Sequence, residues 1–491
     1  MAFETAATRR SFLRHMGSAL GGVALLAACG GGTTATPPSA TAPAAPTPAT
    51  APTTTAPTSA AKPATAPNAA PTTAQLVLGS GKTELIWTSW ATDTYGQFRV
   101  QEQANNFLKD EADANTTIRI RNESSSAYMD KLLTQLAGGV GPDVYRLGWE
   151  NVYPLYKQQQ LVELDSLYAK SKDNYLTSAD TKPGIIDKAR IKGKLYGFPM
   201  GGDIKALFIN RSLLKSASVT EPPNGFGDPS WTYDKLLEMA KQLTKRNADG
   251  TPQQFGYAVS TGWDFVAQDV YAHGGTLFNE DMSELMLHTP PGYEAIQRAA
   301  DYRNVHKVAP TAADNDGGAF NFVNGRLAFE ESQVSQMSYR TQDVKDKFEW
   351  DMVTWPQWQP TPQVAAFHFS AWVINAHSKH ADEAWRFMHY ICGPVGTRVD
   401  VELGWAVPLY KSLDPTYNKR IEQWKKNTIP AKEGLDHQQK EWAPSQPAFK
   451  EVWDTIKSAL DPVWIGKKTA KDAISEVKPK VDGLLKKGLT A

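Results

Sequence analysis

From Gly30 to Ala74 the chain offers almost nothing to bury. The stretch is nearly all Ala, Thr, Pro, Ser and Gly, holds ten of the 32 prolines, and carries Lys62 as its only charge. Such a segment cannot pack a core, so it predicts a disordered or polyproline-like tether. As a flexible coil of about 45 residues its ends lie about 40 Å apart. It divides the 491 residues into a short leader, a tether and one globular body.

The leader reads as an address. Thr8-Arg9-Arg10-Ser11-Phe12-Leu13 precedes an apolar stretch, Ala19 to Ala28, which is too short for the ~20 residues that span a bilayer. Charge, apolar run and small residues in that order predict an export signal over residues 1–28. The stretch ends Leu26-Ala27-Ala28-Cys29, which resembles the bacterial lipobox and marks Cys29 as the lipidated residue. The arginine pair resembles a twin-arginine signal, although Arg14 and the moderate apolar core also suit the general secretion channel. Residues 29–82 then form the lipidated Cys and its tether. Cys392 is the second of two cysteines and lies in the apolar run Phe387 to Cys392, which predicts a buried, inert thiol.

Composition removes several functions. Lys and Arg number 52, as do Asp and Glu, which argues against nucleic-acid binding driven by a basic face. No phosphate loop, His-Glu-x-x-His, paired-Cys zinc motif or nucleophile elbow occurs. Neither a metal, a cofactor nor a catalytic residue is expected, and no apolar run after the leader is long enough to span a bilayer.

The body predicts an α/β architecture. Glu84 to Trp90, Thr117 to Arg121 and Pro142 to Leu147 read as strands, while Phe98 to Lys109 and Tyr128 to Ala137 read as helices. Strands alternating with helices imply parallel pairing in a covered sheet, whose ligands sit at the carboxyl ends of the strands. That places Ser89 to Asp93 and Gly148 to Asn151 at a cleft. Further on, Lys235 to Lys245, Pro291 to His306 and Ala381 to Cys392 read as helices, the first capped by Thr232 or Ser230.

Seven short segments then occur in one order. They are Lys131 to Val144, Leu161 to Asp165, Lys194 to Arg211, Pro222 to Thr244, Phe322 to Phe329, Ile374 to Met388 and Gly404 to Pro408. Together they resemble the extracellular solute-binding proteins of ATP-binding-cassette importers, in the carbohydrate-binding group that includes maltose-binding protein. The resemblance implies a two-lobed α/β fold of the periplasmic-binding-protein type, with the ligand cleft between the lobes. It puts crossings near 201–205, 356–362 and 395–407. The first lobe would then hold 83–200 and 360–400, and the second 205–355 and 408–491. It also implies no enzymatic activity, a monomer anchored to the membrane on its extracytoplasmic face, a small carbohydrate as ligand and the permease subunits of an importer as partners.

Position carries the site residues over. Glu150 and Asn151 fall where the group has an Asp-Arg pair on sugar, Asp203 where it has a Glu, and Asp93 at its early Asp. Trp263 and Asp264 lie in the stretch that supplies an aromatic, and Trp405 lies in the third crossing. Trp90 and Trp149, at strand ends, join them, as does Trp372, although its place before Val373-Ile374 also suits a core. Asn151 and Ser335 stand where the group has an Arg and a stacking Trp, which puts maltose itself in doubt. Rival readings are the same fold binding glycerol phosphate or another polyol, an anchored glycoside hydrolase using Glu150 and Asp203, and a sensory or adhesive surface protein.

Overall fold

The structure, a computed structural model, describes residues 75–490 apart from 112–114, 172, 174, 176–177, 183–185, 187–188, 202, 359–363, 435–438 and 442–445. Cys29, the arginine pair and nearly all of the tether lie outside the described residues.

Along the chain, β1 (Leu76–Leu78) and β2 (Thr83–Ser89) are followed by α1 (Thr94–Asp110), β3 (Thr116–Asn122), α2 (Ser125–Ala137) and β4 (Val144–Gly148). A hairpin of β5 (Arg190–Ile191) and β6 (Lys194–Leu195) leads to β7 (Phe198–Pro199). The second lobe opens with β8 (Asp203–Asn210), α3 (Tyr233–Leu243), β9 (Lys245–Arg246), β10 (Pro252–Ala258) and α4 (Trp263–Ala272). It continues with β11 (Leu327–Gln333), α5 (Met337–Val344), β12 (Trp350–Val353) and β13 (Ala365–His368). Then come β14 (Ser370–Ile374), α6 (Ala381–Cys392), α7 (Pro394–Glu402), β15 (Gln439–Glu441), α8 (Phe449–Trp464) and α9 (Ala470–Thr490).

The first sheet runs β1-β3-β2-β4-β14-β7. Its centre, β3, β2 and β4, is parallel, as the strand–helix alternation requires, and β1, β14 and β7 pair antiparallel. The second sheet runs β15-β13-β8-β11-β10-β9, and β12 also pairs β8. One edge of β8 bonds β11, while the other is shared by β13 at its start and β12 at its end. Seven of the eight β8 residues are buried, which suits a central strand covered on both faces.

Three boundaries differ from the sequence reading. The body begins at β1, inside the stretch assigned to the tether, because Leu76 to Leu78 pair with Ile120 to Ile118. The second crossing lies at Phe369 rather than 356–362. His368 still pairs with Asp203 of the second sheet, whereas Ser370 pairs with Gly148 of the first. The stretch after 408 does not leave the first lobe at once. Leu409 accepts from the Lys182 amide, Lys182 Nζ meets Asp414 at 2.7 Å, and Tyr410 Oη donates to the Cys392 carbonyl at 2.7 Å. Further along, Lys426 and Asn427 bond the second lobe, reaching Trp350 and Asp351.

The first core gathers round Trp87, whose ring lies 5.1 Å from Trp372 and 4.9 Å from Phe387 of α6. In the second lobe Trp231 and Trp355 are buried and their indole nitrogens donate to the Thr354 carbonyl and Tyr233 Oη. Thr232 caps α3 by accepting from the Lys235 amide at 3.2 Å, as expected. Here strand and helix meet without side chains between them, because a Cβ on Gly256 would lie 2.0 Å from the Ala240 carbonyl oxygen. Gly256→Ala is therefore expected to destabilise the protein by about 2–3 kcal/mol, the upper range for overpacking, because backbone cannot yield as a side chain can. Urea denaturation should show the midpoint falling with the slope unchanged.

Candidate functional site

A cavity of about 390 Å³ lies between the two sheets. The first lobe contributes the segment Trp90 to Asp93 after β2, Arg99 on α1 and Arg146 on β4. The crossings contribute Gly201, Phe369 and Trp405, and the second lobe contributes Asp203, Gln333, Ser335 and Tyr339. Gly201 has φ +132°, and a Cβ there would meet that of Ala406 at 3.0 Å, so the first and third connections pass close together only because this residue lacks one.

Each wall has a local cause. Asp93 ends β2's loop and caps α1 by accepting from the Gly96 amide at 2.8 Å. Asp203 accepts from the Ile204 amide at 3.0 Å, the Ser335 amide at 3.1 Å and Ser335 Oγ at 2.6 Å. Burial raises its pKa above the ordinary carboxylate value, opposed by Lys205 and by these hydrogen bonds. Ser335 thus serves to hold the carboxylate. Trp405 donates from Nε1 to Tyr339 Oη at 3.1 Å and carries the Arg99 guanidinium 4.1 Å from its ring centre. Trp90 carries the Arg146 guanidinium at 3.9 Å and meets the edge of Tyr128.

Of the ten residues assigned to the cleft, Trp90, Asp93, Asp203 and Trp405 line this cavity. The other six do not. Trp372 is buried in the first core against Trp87, because its strand is covered on both faces. Trp263 is buried 4.5 Å from Trp453 of α8, packing the second lobe, and Asp264 is ion-paired with Lys205. Trp149 packs behind the wall on Phe369 at 4.9 Å. Asn151 donates to Glu150 Oε1 at 2.8 Å, and their turn contacts α8 of the second lobe. Glu150 and Asp203, the pair that could imitate glycosidase carboxylates, therefore do not share the cavity.

Several wall residues escaped the sequence reading, among them Arg99, Gln333, Gln336 and Tyr339. Gln333 and Ser335 alternate with buried Val334 at the end of β11, a period of two that could have flagged them. Arg99 carries no such signal, because an arginine in an amphipathic helix ordinarily faces solvent.

Residues 102–432 match the family described as bacterial extracellular solute-binding protein. The chain belongs to that family. Among curated members, the galactooligosaccharide-binding protein of Bacillus subtilis is 20% identical, over 78% of this chain and 88% of its own length. Among solved structures, a substrate-binding protein of Listeria monocytogenes in complex with cycloalternan is 21% identical. It covers 82% of this chain and 98% of its own, with a TM-score of 0.72. A solute-binding protein of Thermotoga lettingae bound with α-D-tagatose is 19% identical, over 82% and 100% of the two chains, with a TM-score of 0.68. The fold is thus the two-lobed one of the maltose-binding type. In a solute-binding protein of this kind the space between the lobes is the ligand site, so the cavity is the place to look for recognition.

Glu150 marks the junction of the lobes behind that cavity. Its Oε2 is shut from solvent and donor-free, and burial, reinforced by Asp264, pushes its pKa up to about 7 from an ordinary 4.5. The unfolded chain holds this proton only below about 4.5, the folded one to about 7, so the stability it contributes is lost as pH rises through 7. Calorimetric melting from about pH 5 to 8 should show a decline worth about 1–3 kcal/mol that Glu150→Gln removes.

Proposed function

We propose that the chain is an extracytoplasmic lipoprotein that captures a carbohydrate between its lobes and delivers it to the permease subunits of an ATP-binding-cassette importer. The observation that carries this reading is the cavity itself. At about 390 Å³ it lies within the range for small-molecule sites, and it combines an indole at Trp90 with polar side chains from both sheets. A pyranose asks for that combination: an aromatic surface for its apolar face and fixed donors and acceptors for its hydroxyls. Closing two lobes over the sugar exchanges its hydration for these groups, and discrimination arises because a mismatched buried hydroxyl costs about 1–3 kcal/mol. The ligands named for the relatives, a galactooligosaccharide, cycloalternan and tagatose, support the same class.

The address completes the reading. Cys29 after Leu26-Ala27-Ala28 would carry the lipid, the twin arginines would direct export, and the Pro-rich tether would let a monomeric body swing between solution and permease. Residues 1–28 would be removed, and the lobes would divide the body as proposed from the sequence, with the strand-level shifts described above.

Three measurements test it. A thermal-shift screen of a sugar library should find a saccharide that stabilises the purified protein, by about 2.7 kcal/mol at 100 times its dissociation constant. Trp90→Ala should weaken that saccharide by about 1–2 kcal/mol in titration calorimetry, through lost ring contact. Binding equal to the parent's would remove Trp90 from the site. Cys29→Ser should abolish acylation and release the protein from the detergent phase, and unchanged partitioning would rule the lipid anchor out.

A further inference from the structure

Among the buried charged side chains of the cavity, Arg146 is in no ion pair with any described residue, while Arg99 is paired with Asp400. Only 8% of it is exposed. Its Nη2 donates to Ser370 Oγ at 3.1 Å, its Nε is shut from solvent and donates to nothing, and among the described residues no carboxylate is hydrogen-bonded to it. Its guanidinium lies 3.9 Å from the ring centre of Trp90 and 5.0 Å from that of Trp405. The neighbouring cation, Arg99, repels it and is itself committed to Asp400 at 3.0 Å. Burial first, and then Arg99, pull the Arg146 pKa down to about 9, against the weaker opposing pull of Tyr339, Tyr128 and Asp400.

The acids of the cavity do not serve it. Asp93 is committed to the helix cap, and Asp203 to Ser335 and the Ile204 amide. An isolated buried cation is costly, and a structure that holds one beside an open cavity is arranged for an acceptor that comes from outside. Arginine presents a planar fork that matches a carboxylate with two parallel hydrogen bonds. The Ser370 hydroxyl, which accepts from Nη2, keeps its own proton to donate to the same group.

Resting on the reading of this cavity as the sugar site, we propose that the ligand is an acidic saccharide whose uronate carboxylate is held by Arg146 and Ser370 beside Trp90. A single negative charge fits better than a phosphate dianion. The walls offer one uncommitted guanidinium, and Asp93 and Asp203 stand in the same space.

The test is titration calorimetry of the purified protein with uronic-acid mono- and disaccharides of the gluco, galacto, manno and gulo series. Each is compared with its methyl ester, its neutral counterpart and the corresponding sugar phosphate. One uronide should bind about 10- to 100-fold more tightly than its own methyl ester, the range for a hydrogen bond to a charged group. Arg146→Gln should remove that difference, and Arg146→Lys should restore part of it. If the glutamine variant does not fold, the comparison of acid and ester on the parent protein decides. A neutral sugar that binds as tightly as any uronide, indifferent to Arg146→Gln, would overturn the acidic ligand and leave the sugar-binding reading intact. A sugar phosphate that binds more tightly than every uronide would overturn the carboxylate assignment. Binding of no saccharide, neutral or acidic, would overturn both readings.

Discussion

Arg99 and Asp400 stand 301 positions apart in the chain and meet at 3.0 Å in a site where each is almost wholly buried. Much of the cleft hangs on this pair. Asp400 also accepts from Gln103 Nε2 at 3.2 Å, and its backbone carbonyl accepts the Trp405 amide at 2.9 Å. Helices α1 and α7 are thereby clamped together, and the connection that carries Trp405 leaves α7 from a fixed point. Arg99 in turn lies against the Trp405 ring. A buried pair of this kind contributes little net stability against an apolar replacement, yet losing one partner costs about 3–5 kcal/mol because the other is left charged and dry. Its value here is positional, since it sets one wall of the cavity.

The second determinant is where the chain changes sheets. Gly201 carries one connection past Ala406, and Phe369 carries another between two strands that pair on opposite sides of it. The ends of β8 and β14 therefore lie beside each other, and their first residues, Asp203 and Ser370, both line the cavity. A site built from such junctions draws its groups from both lobes. Residues within two or three positions of a crossing supply much of the wall, while residues set deeper in the strands, such as Trp372, pack the core.

Arg146 shows how a strand residue can serve recognition rather than packing. On β4 every side chain is buried, and an arginine there would ordinarily demand an acid. The protein answers it instead with two indoles, a serine hydroxyl and open space. Arg99 stands close by and is ion-paired with Asp400, so the two arginines have opposite duties. One fixes the architecture, and the other is left for the ligand.

The alternation of strand and helix, the Thr232 cap and the apolar run that hides Cys392 were all legible in the sequence, because each rests on contacts within a few residues or on a local period. The order of the seven segments carried the family and with it the two lobes. Four of the ten assigned site residues, Trp90, Asp93, Asp203 and Trp405, reach the cavity, each at a strand end, a loop or a crossing. Trp149 and Trp263 went to packing because an indole at an element's end can turn to core or cleft, and nothing local decides which, while Trp372 lies inside a strand buried on both faces. The tertiary structure alone decided that choice, the crossing at Phe369 and the pairing of Arg99 with Asp400, since each depends on groups far apart in the chain. The sequence determined which elements form and what they could bury; only their packing determined that Arg99 meets Asp400 and that Arg146 has no ion pair among the described residues.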